Sequence, residues 1–356
     1  MTGTPHERDR SLLNPRRSRR GRRARVIGLL LVSVVLIAAV VISSLHLHPF
    51  GRAGTTATTT TGASGPTGAT SAPNPGPQVA VNQVAALLAP ASRVAAAPFG
   101  TDGALFLGGY GSAGAPLDTI QSLTGASVQA AGTLPAGEAS AVAAALGTGI
   151  YLFGGLGSTI FEITPTSDIV VGSLPAPTAD AAVAAVGDTA YVIGGFNGSA
   201  ELNTIVAFTP GAAPTVIATL PVTLRLATAA AVGGEVYIIG GESAGVASST
   251  VYRFDPTAKT VTVFTHLPHA RDREAAATVG GHIFVLGGLS TATGVRTRAI
   301  YSISPSSGAV HLAGILPLAL SDIAAISNAG EIIAAGGIDA AGVAGTAIYA
   351  VTVHRG

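Results

Sequence analysis

The sequence predicts an all-β fold in which six four-stranded sheets repeat around a common axis. Three observations predict it: the composition disfavours helices, one strand-and-turn pattern recurs six times, and each recurrence has room for four strands. The chain has 356 residues with 47 Gly and 21 Pro, so nearly one residue in five interrupts regular structure. With 48% hydrophobic and 10% charged residues, it can bury a large core. These features favour many short strands joined by turns.

The chain begins with a basic segment, residues 1–25, followed by an apolar one. Residues 1–25 carry nine Arg against Glu7 and Asp9. Val26–Leu45 contains no charge, and a helix of its length spans about 30 Å, the thickness of the hydrocarbon core of a bilayer. Because basic residues stay on the cytoplasmic side, the pattern predicts one transmembrane helix in the cell membrane, with a cytoplasmic N-terminus and the remaining chain outside.

Two other interpretations of this N-terminal region stay open. A cleaved signal peptide, including a twin-arginine export signal, also begins with basic residues, but its apolar region is normally shorter or less hydrophobic than Val26–Leu45. The arginines could instead form a nucleic-acid-binding patch, but beside a membrane-spanning helix their effect on topology accounts for them without a further assumption. We therefore expect the lipid bilayer as a partner and no nucleic acid.

Residues 46–78 form a predicted linker. Gly51–Gln78 consists almost entirely of Thr, Ala, Gly, Ser and Pro, and includes Thr58–Thr61 and Pro73–Pro77. Such a segment has too little apolar surface to fold, so it is predicted to be a disordered stalk that reaches roughly 30 Å. Its Thr and Pro residues suit either O-glycosylation or an unmodified spacer.

Residues 79–356 contain the sixfold repeat. In each repeat a hydrophobic strand runs into a Gly pair, and successive pairs are 46, 40, 46, 47 and 49 residues apart. The six strands with their pairs are Leu105–Gly109, Tyr151–Gly155, Tyr191–Gly195, Tyr237–Gly241, Phe284–Gly288 and Ile333–Gly337. A Leu lies twenty residues before each pair, at Leu88, Leu134, Leu174, Leu220, Leu267 and Leu316.

Each repeat contains four predicted strands. An Ala-rich or Val-rich strand precedes the strand with the Gly pair, and a fourth strand ends at the next Leu. Third strands begin at Ile120, Ile160, Ile205, Val251, Ile300 and Ile348. Only the half after the Gly pair varies in length, as expected when packing between radial sheets fixes the inner strands and surface loops vary freely. The last repeat lacks a fourth strand, so we predict that Val79–Leu88 completes it and closes a six-membered ring.

This pattern resembles the kelch repeat. The shared features are the Gly pair, the Leu–Pro step twenty residues earlier in five repeats, an aromatic residue three positions before the pair, and a Gly in the first turn. The aromatic residues are Tyr151, Tyr191, Tyr237 and Phe284, and the turn glycines are Gly147, Gly187, Gly233 and Gly280. The resemblance implies a six-bladed kelch-type β-propeller and no particular activity. The family usually has a Trp after the third strand, but this chain has no Trp, so small or aliphatic residues must fill that space.

The candidate binding residues lie in loops that would share one face of such a fold. These loops carry six of the nine basic residues of residues 79–356, namely Arg93, Arg225, Arg271, Arg273, Arg296 and Arg298. The last four fall in two loops of one repeat, and guanidinium groups bind carboxylates and other anions bidentately. We predict that these four converge at the rim of the axial opening and, with Arg225 and Glu242, bind an anionic ligand. The alternative is that they only brace neighbouring loops, where Asp272 and Glu274 neutralise them.

Patterns that indicate catalysis are sparse. The chain has no Cys, which excludes disulfides, thiolate metal sites and cysteine catalysis, and no His pair of the repeats has metal-ligand spacing. We expect no cofactor, no metal and no catalytic residue. The sequence favours a membrane-anchored module outside the cell that binds a glycan, peptide or protein, its partner being an unknown protein or an anionic glycan. The alternative is a propeller enzyme that acts on a sugar, as kelch-like sialic acid mutarotases do with Arg and Glu side chains.

Overall fold

The computed structural model describes residues 76–164 and 168–354. Within these ranges every regular element is a β-strand, and no helix is long and apolar enough to cross a membrane. The predicted cytoplasmic segment, the predicted helix Val26–Leu45 and nearly all of the predicted linker lie outside the described residues. Their structure therefore stays a prediction.

The strands form six antiparallel four-stranded blades. From the innermost to the outermost strand, blade 1 consists of Ala95–Phe99, Gly103–Leu107, Thr119–Thr124 and Ser127–Thr133. Blade 2 consists of Ala141–Leu146, Gly149–Gly154, Thr159–Ile163 and Asp168–Ser173. Blade 3 consists of Ala182–Val186, Thr189–Ile193, Thr204–Phe208 and Thr215–Thr219. Blade 4 consists of Thr228–Val232, Glu235–Ile239, Val246–Asp255 and Thr260–Arg271.

The last two blades complete the circle. Blade 5 consists of Ala275–Val279, His282–Leu286, Ala299–Ile303 and Val310–Ile315, and blade 6 of Ala324–Asn328, Glu331–Ala335, Ala347–His354 and Gln78–Ala86. Two-residue strands in the loops lie at Ala91–Ser92, Tyr110–Gly111, Glu242–Ser243, Leu289–Ser290 and Val295–Arg296.

The N-terminal strand closes the ring, as predicted. Gln78–Ala86 pairs antiparallel with Ala347–His354, from Gln78 opposite His354 to Ala86 opposite Ala347. Six clusters of buried apolar residues fill the spaces between neighbouring blades, and one of them joins blade 6 to blade 1. Closure therefore gives blade 6 its fourth strand and leaves no open surface between blades 6 and 1.

The Gly pairs are required where one blade meets the loop that leads into the next. In blade 2, Gly154 has a φ of 68°, and a Cβ placed there would lie 2.1 Å from the carbonyl oxygen of Thr178. The next residue, Gly155, donates its amide hydrogen to the same carbonyl at 3.0 Å. A side chain at Gly154 would therefore both strain the backbone and displace the neighbouring loop.

The repeat register of the first unit differs from the prediction by one residue. Leu87, not Leu88, takes the core position that Leu134 and its equivalents occupy: Leu87 is 4% exposed and Leu88 is 59% exposed. The amide of Leu87 donates to Thr346 as that of Leu134 donates to Asp118. The cause is the first turn of blade 1, which places three residues between Phe99 and Gly103 where blade 2 has two between Leu146 and Gly149.

This register predicts opposite outcomes for two adjacent substitutions. Leu87→Ala is expected to lower the free energy of unfolding by about 2–4 kcal/mol, because it leaves a cavity between blades 6 and 1. Leu88→Ala is expected to change it by less than about 0.5 kcal/mol, because that side chain is exposed. Chemical denaturation of the two variants measures both values. Equal losses would contradict the register.

Candidate functional site

Six residues, one just before each innermost strand, have a left-handed backbone conformation. They have φ values between 49° and 59° and form what we call the axial ring: Arg93, Ser140, Asp180, Leu226, Arg273 and Asp322. Five consecutive amide-to-carbonyl hydrogen bonds of 2.8–3.0 Å join them around the axis, from Ser140 through Asp180, Leu226, Arg273 and Asp322 to Arg93. This conformation is unfavourable for residues other than Gly, so the ring of hydrogen bonds is what holds it.

The axial ring lies at one end of a central cavity of about 600 Å³. The innermost strands of all six blades line the cavity, and most of their lining residues are Ala. Towards the other end lie Thr278 and Ser327, where the amide of Thr278 donates to Ser327 Oγ at 2.8 Å. The cavity is therefore an apolar chamber with charged groups at one end. We call the propeller face with the axial ring and the loops after the Gly pairs the ring face, and the opposite face the turn face.

The charged side chains of the axial ring pair with one another. Arg93 Nε lies 2.7 Å from Asp322 Oδ1, and its Nη1 lies 3.0 Å from Asp180 Oδ1 and 3.3 Å from Ser140 Oγ. Arg273 Nε lies 3.6 Å from the same Asp322 oxygen. Burial alone would lower the pKa of Arg93, but Asp180 and Asp322 outweigh it and raise that pKa. Arg93 therefore stays charged, and its charge is matched within the ring.

Two predicted site residues, Arg225 and Glu242, contact each other directly. Nε and Nη2 of Arg225 both donate to Oε1 of the buried Glu242. Arg225 Nε also lies 3.5 Å from Glu201 Oε1, and its guanidinium lies over the ring of Phe196, 5.5 Å from the centroid. The Arg225 side chain is thus held by two carboxylates and an aromatic ring, which suits the bracing role.

The other four predicted arginines have different surroundings. Arg271 is buried, donates from Nη1 to the carbonyl of Gly287 at 3.1 Å, and lies 4.9 Å from the ring centroid of Tyr301. Arg273 pairs with Asp272 at 2.6 Å and is the only one of the four that lines the axial cavity.

Arg296 Nε donates to Ser321 Oγ at 2.9 Å, and Arg298 Nε donates to the carbonyl of Leu316 at 2.6 Å. The predicted convergence of all four arginines at the axial opening is therefore not found, because burial against Tyr301 directs Arg271 into the blade and the other two bond to loop residues. Binding of an anion by these residues stays a prediction.

A pair of buried carboxyl groups was missed as a candidate site. Asp272 is 0% exposed, and its Oδ2 has no hydrogen-bond partner among the described residues; neither carboxylate oxygen of Glu274 has a side-chain hydrogen-bond partner among them. Burial raises the pKa of Asp272 to about 6; Arg273 opposes this shift, while Glu242 and Asp322 add to it. Burial also raises the pKa of Glu274 well above its ordinary value. Within the part of the chain that the structure describes, no acidic or His cluster is arranged to hold a metal.

The sequence holds a signal that could have found Glu274. It directly follows the ring residue Arg273, a position that Ala141, Ala181 and Ala227 occupy in blades 2 to 4. A charged residue where three other blades have Ala needs an explanation, because the equivalent space is small and apolar. Aligning the six repeats on their Gly pairs shows this difference. Counting the charges in each loop does not show it, because such a count treats Glu274 only as a residue that neutralises the neighbouring arginines.

Comparisons with known proteins agree with the architecture. A family model described as the kelch motif matches residues 177–211 and 224–268, which fall in blades 3 and 4. A solved structure titled "Structure of YjhT" is similar over 76% of this chain and 99% of that chain, with a TM-score of 0.65 and 17% sequence identity, so the likeness concerns the fold alone. A comparison with curated proteins gave no match. The two motif matches and the six blades together show that the chain is a kelch-repeat β-propeller.

Proposed function

We propose that this chain is a membrane-anchored binding module whose propeller lies outside the cell and binds an anionic ligand on the ring face. The kelch propeller fold is consistent with an interaction module. The observation that supports an anionic ligand is that Arg296 and Arg298 have no carboxylate within 4.0 Å among the described residues. On the same face, Arg93, Arg225 and Arg273 pair with carboxylates and Arg271 is buried.

The spacing of these two arginines suits one shared ligand. They are two residues apart: Arg296 ends the short strand Val295–Arg296, and Arg298 directly precedes the strand Ala299–Ile303. Their contacts, Ser321 and Leu316, lie in the same loop between blades 5 and 6. Each guanidinium uses Nε for its contact with the protein, which leaves its terminal nitrogens for a ligand. Two such groups provide charge-assisted hydrogen bonds to a carboxylate or sulfate of an acidic glycan, or to an acidic peptide.

The topology of the described residues places Gln78 at the turn face. The strand Gln78–Ala86 runs towards the axial ring, because Ala86 leads into the loop that contains Arg93. Gln78 therefore starts at the turn face, opposite to the face that carries Arg296 and Arg298.

The binding proposal is tested with Arg296→Ala combined with Arg298→Ala. Each charged hydrogen bond contributes roughly 1.5–3 kcal/mol, so we expect the double variant to lose at least about a hundredfold in affinity. Acidic glycans on an array and a library of Asp- and Glu-rich peptides serve as probes, and calorimetry measures the affinity of any ligand found. The matched control is Arg253→Ala with Lys259→Ala, which removes two charges near the turn face. A folded Arg296/Arg298 variant that binds as tightly as the parent would refute the site.

The anchor is tested with reporter proteins. A reporter that is active only after export, fused behind Gln78, is expected to be active, because the basic residues before Val26 retain the N-terminus in the cytoplasm. A reporter that works only in the cytoplasm is expected to be silent at the same position. The reverse result would refute an external propeller.

One observation favours the second function class, catalysis on a sugar. Asp272 and Glu274 are two nearby buried carboxyls whose raised pKa values are typical of acid–base pairs, and Glu274 lies at the wall of the axial cavity. An enzyme would accelerate mutarotation of a reducing sugar and lose that activity on Glu274→Ala. A binding module would show no acceleration in the parent protein. Polarimetry distinguishes the two.

A further inference from the structure

The guanidinium of Arg93 lies across the opening of the axial ring. Its three side-chain partners come from three different blades: Asp322 from blade 6, Ser140 from blade 2 and Asp180 from blade 3. Asp180 is two positions away from Arg93 around the ring, so Arg93 reaches it only by extending over the mouth of the cavity. The Arg93 side chain is 27% exposed and is among the residues that line the cavity.

The cavity behind this side chain is polar at its mouth and apolar along its length. Arg93 and its three partners line the ring end of the cavity, while the alanines of the innermost strands line its length. Asp180, Asp322 and Ser140 present two carboxylates and one hydroxyl, which accept hydrogen bonds from a guanidinium or ammonium group. The alanine wall beyond them suits an aliphatic chain, because it offers apolar surface and no charge.

We propose that Arg93 is an internal plug: its guanidinium closes the ring-face mouth of the axial cavity and occupies a cradle that suits an aliphatic ligand with a guanidinium or ammonium tip. This site is separate from the proposed anion site, which uses Arg296 and Arg298. The ligand must replace Arg93 in the cradle formed by Asp180, Asp322 and Ser140. Its aliphatic stem then extends into the chamber.

Arg93 competes with any added ligand for the cradle. Because it is covalently attached, its guanidinium has an effective concentration of about millimolar or more there. A small free guanidinium ion must displace it, so such an ion binds only weakly to the native protein. Removal of the Arg93 side chain vacates the cradle, leaves Asp180 without its cation, and leaves Asp322 with only the longer contact to Arg273 at 3.6 Å. An added guanidinium ion then restores the lost pairing, so we expect it to bind more tightly to this variant than to the native chain.

The test uses the full chain with Arg93→Ala and a series of n-alkylguanidinium ions from methyl to pentyl at millimolar concentration. We expect the substitution to lower the melting temperature, and the added ions to raise it again and to bind measurably by calorimetry. Affinity is expected to rise about fourfold per methylene, and to go on rising beyond propyl, the length of the Arg93 stem. The native chain is expected to bind at least tenfold more weakly than the variant.

Arg225→Ala is the matched control, because it removes an arginine that is paired with Glu242 and Glu201 outside the axial ring. This variant leaves Glu242 and Glu201 without their arginine but away from the cavity, so any recovery with guanidinium ions is expected not to increase with the length of the alkyl chain. If Arg93→Ala alone does not fold, Arg93→Ala with Asp322→Asn carries the same test, because it removes one of the two carboxylates that Arg93 neutralises. Three results would each overturn the proposal. They are a folded variant that binds no alkylguanidinium, an affinity that stops rising at propyl, and equal binding by the native chain.

Discussion

A chain that begins at Leu87 is expected to aggregate, whereas one that begins at Gln78 is expected to stay monodisperse. The difference between them is the outermost strand of blade 6, which pairs with Ala347–His354 along its whole length. Val79 and Val81 pack on the apolar cluster between blades 5 and 6. Without these residues, blade 6 has an exposed edge and loses about 3–6 kcal/mol of apolar burial, enough to lower the melting temperature by about 10 °C or more.

Size-exclusion chromatography and thermal unfolding of the two chains measure this effect. A pair of point substitutions separates loss of packing from mere shortening: Val81→Asp places a charge against the cluster, whereas Val84→Asp changes an exposed residue at the bulge of the same strand. Val81→Asp is expected to destabilise the chain and Val84→Asp to change it little. Equal melting temperatures for the chains that begin at Gln78 and Leu87 would show that this strand does not close the ring.

The architecture was predictable because it depends on short-range patterns that repeat. Six Gly pairs at near-constant spacing determined the blade number, and the surplus strand before the first pair determined the closure. The one error in register arose because two compatible leucines, Leu87 and Leu88, are adjacent. Leu88 keeps the spacing of twenty residues, but the longer turn between Phe99 and Gly103 moves Leu87 into the core.

The site was predictable only at the level of its loops. Repeat register assigned the arginines to the ring face, but the direction of each side chain depends on partners that are far away in sequence. Arg93, for example, pairs with Asp322, which is 229 residues further along the chain. No local pattern could indicate that contact, and the same holds for the burial of Arg271 against Tyr301.

The axial ring itself left no local signal in the sequence. Left-handed backbone positions are usually recognised by Gly, yet all six ring residues have side chains. Their conformation is held by hydrogen bonds between successive blades, which form only when neighbouring blades pack side by side. Such a feature depends on tertiary structure and cannot be inferred from one repeat alone.

Raising the pH from 4 to 8 is expected to weaken the propeller through Asp272 and Glu274. Burial raises the pKa of both carboxyls above their unfolded values near 4, so the folded state holds protons that the unfolded state releases. Their contribution to stability is therefore complete below about pH 4 and is lost as the pH rises through the folded pKa, which for Asp272 is about 6. The shift of Asp272 alone corresponds to about 3 kcal/mol.

Glu274→Ala isolates the contribution of Glu274 to this pH dependence, and Ala fits there because it occupies the equivalent position in blades 2 to 4. At pH 8 the substitution removes a buried carboxylate that has no side-chain hydrogen-bond partner among the described residues, and we expect it to stabilise the chain by about 2 kcal/mol and raise the melting temperature by about 4 °C or more. At pH 4 the native carboxyl is neutral, so the gain disappears and the lost packing makes the variant slightly less stable.

Melting temperatures of both chains across this pH range measure the effect. Asp188→Ala, which changes an exposed turn residue, is the control and is expected to show no such crossover. If the difference between Glu274→Ala and the native chain is the same at pH 4 and pH 8, the buried carboxyl is not the source of the pH dependence.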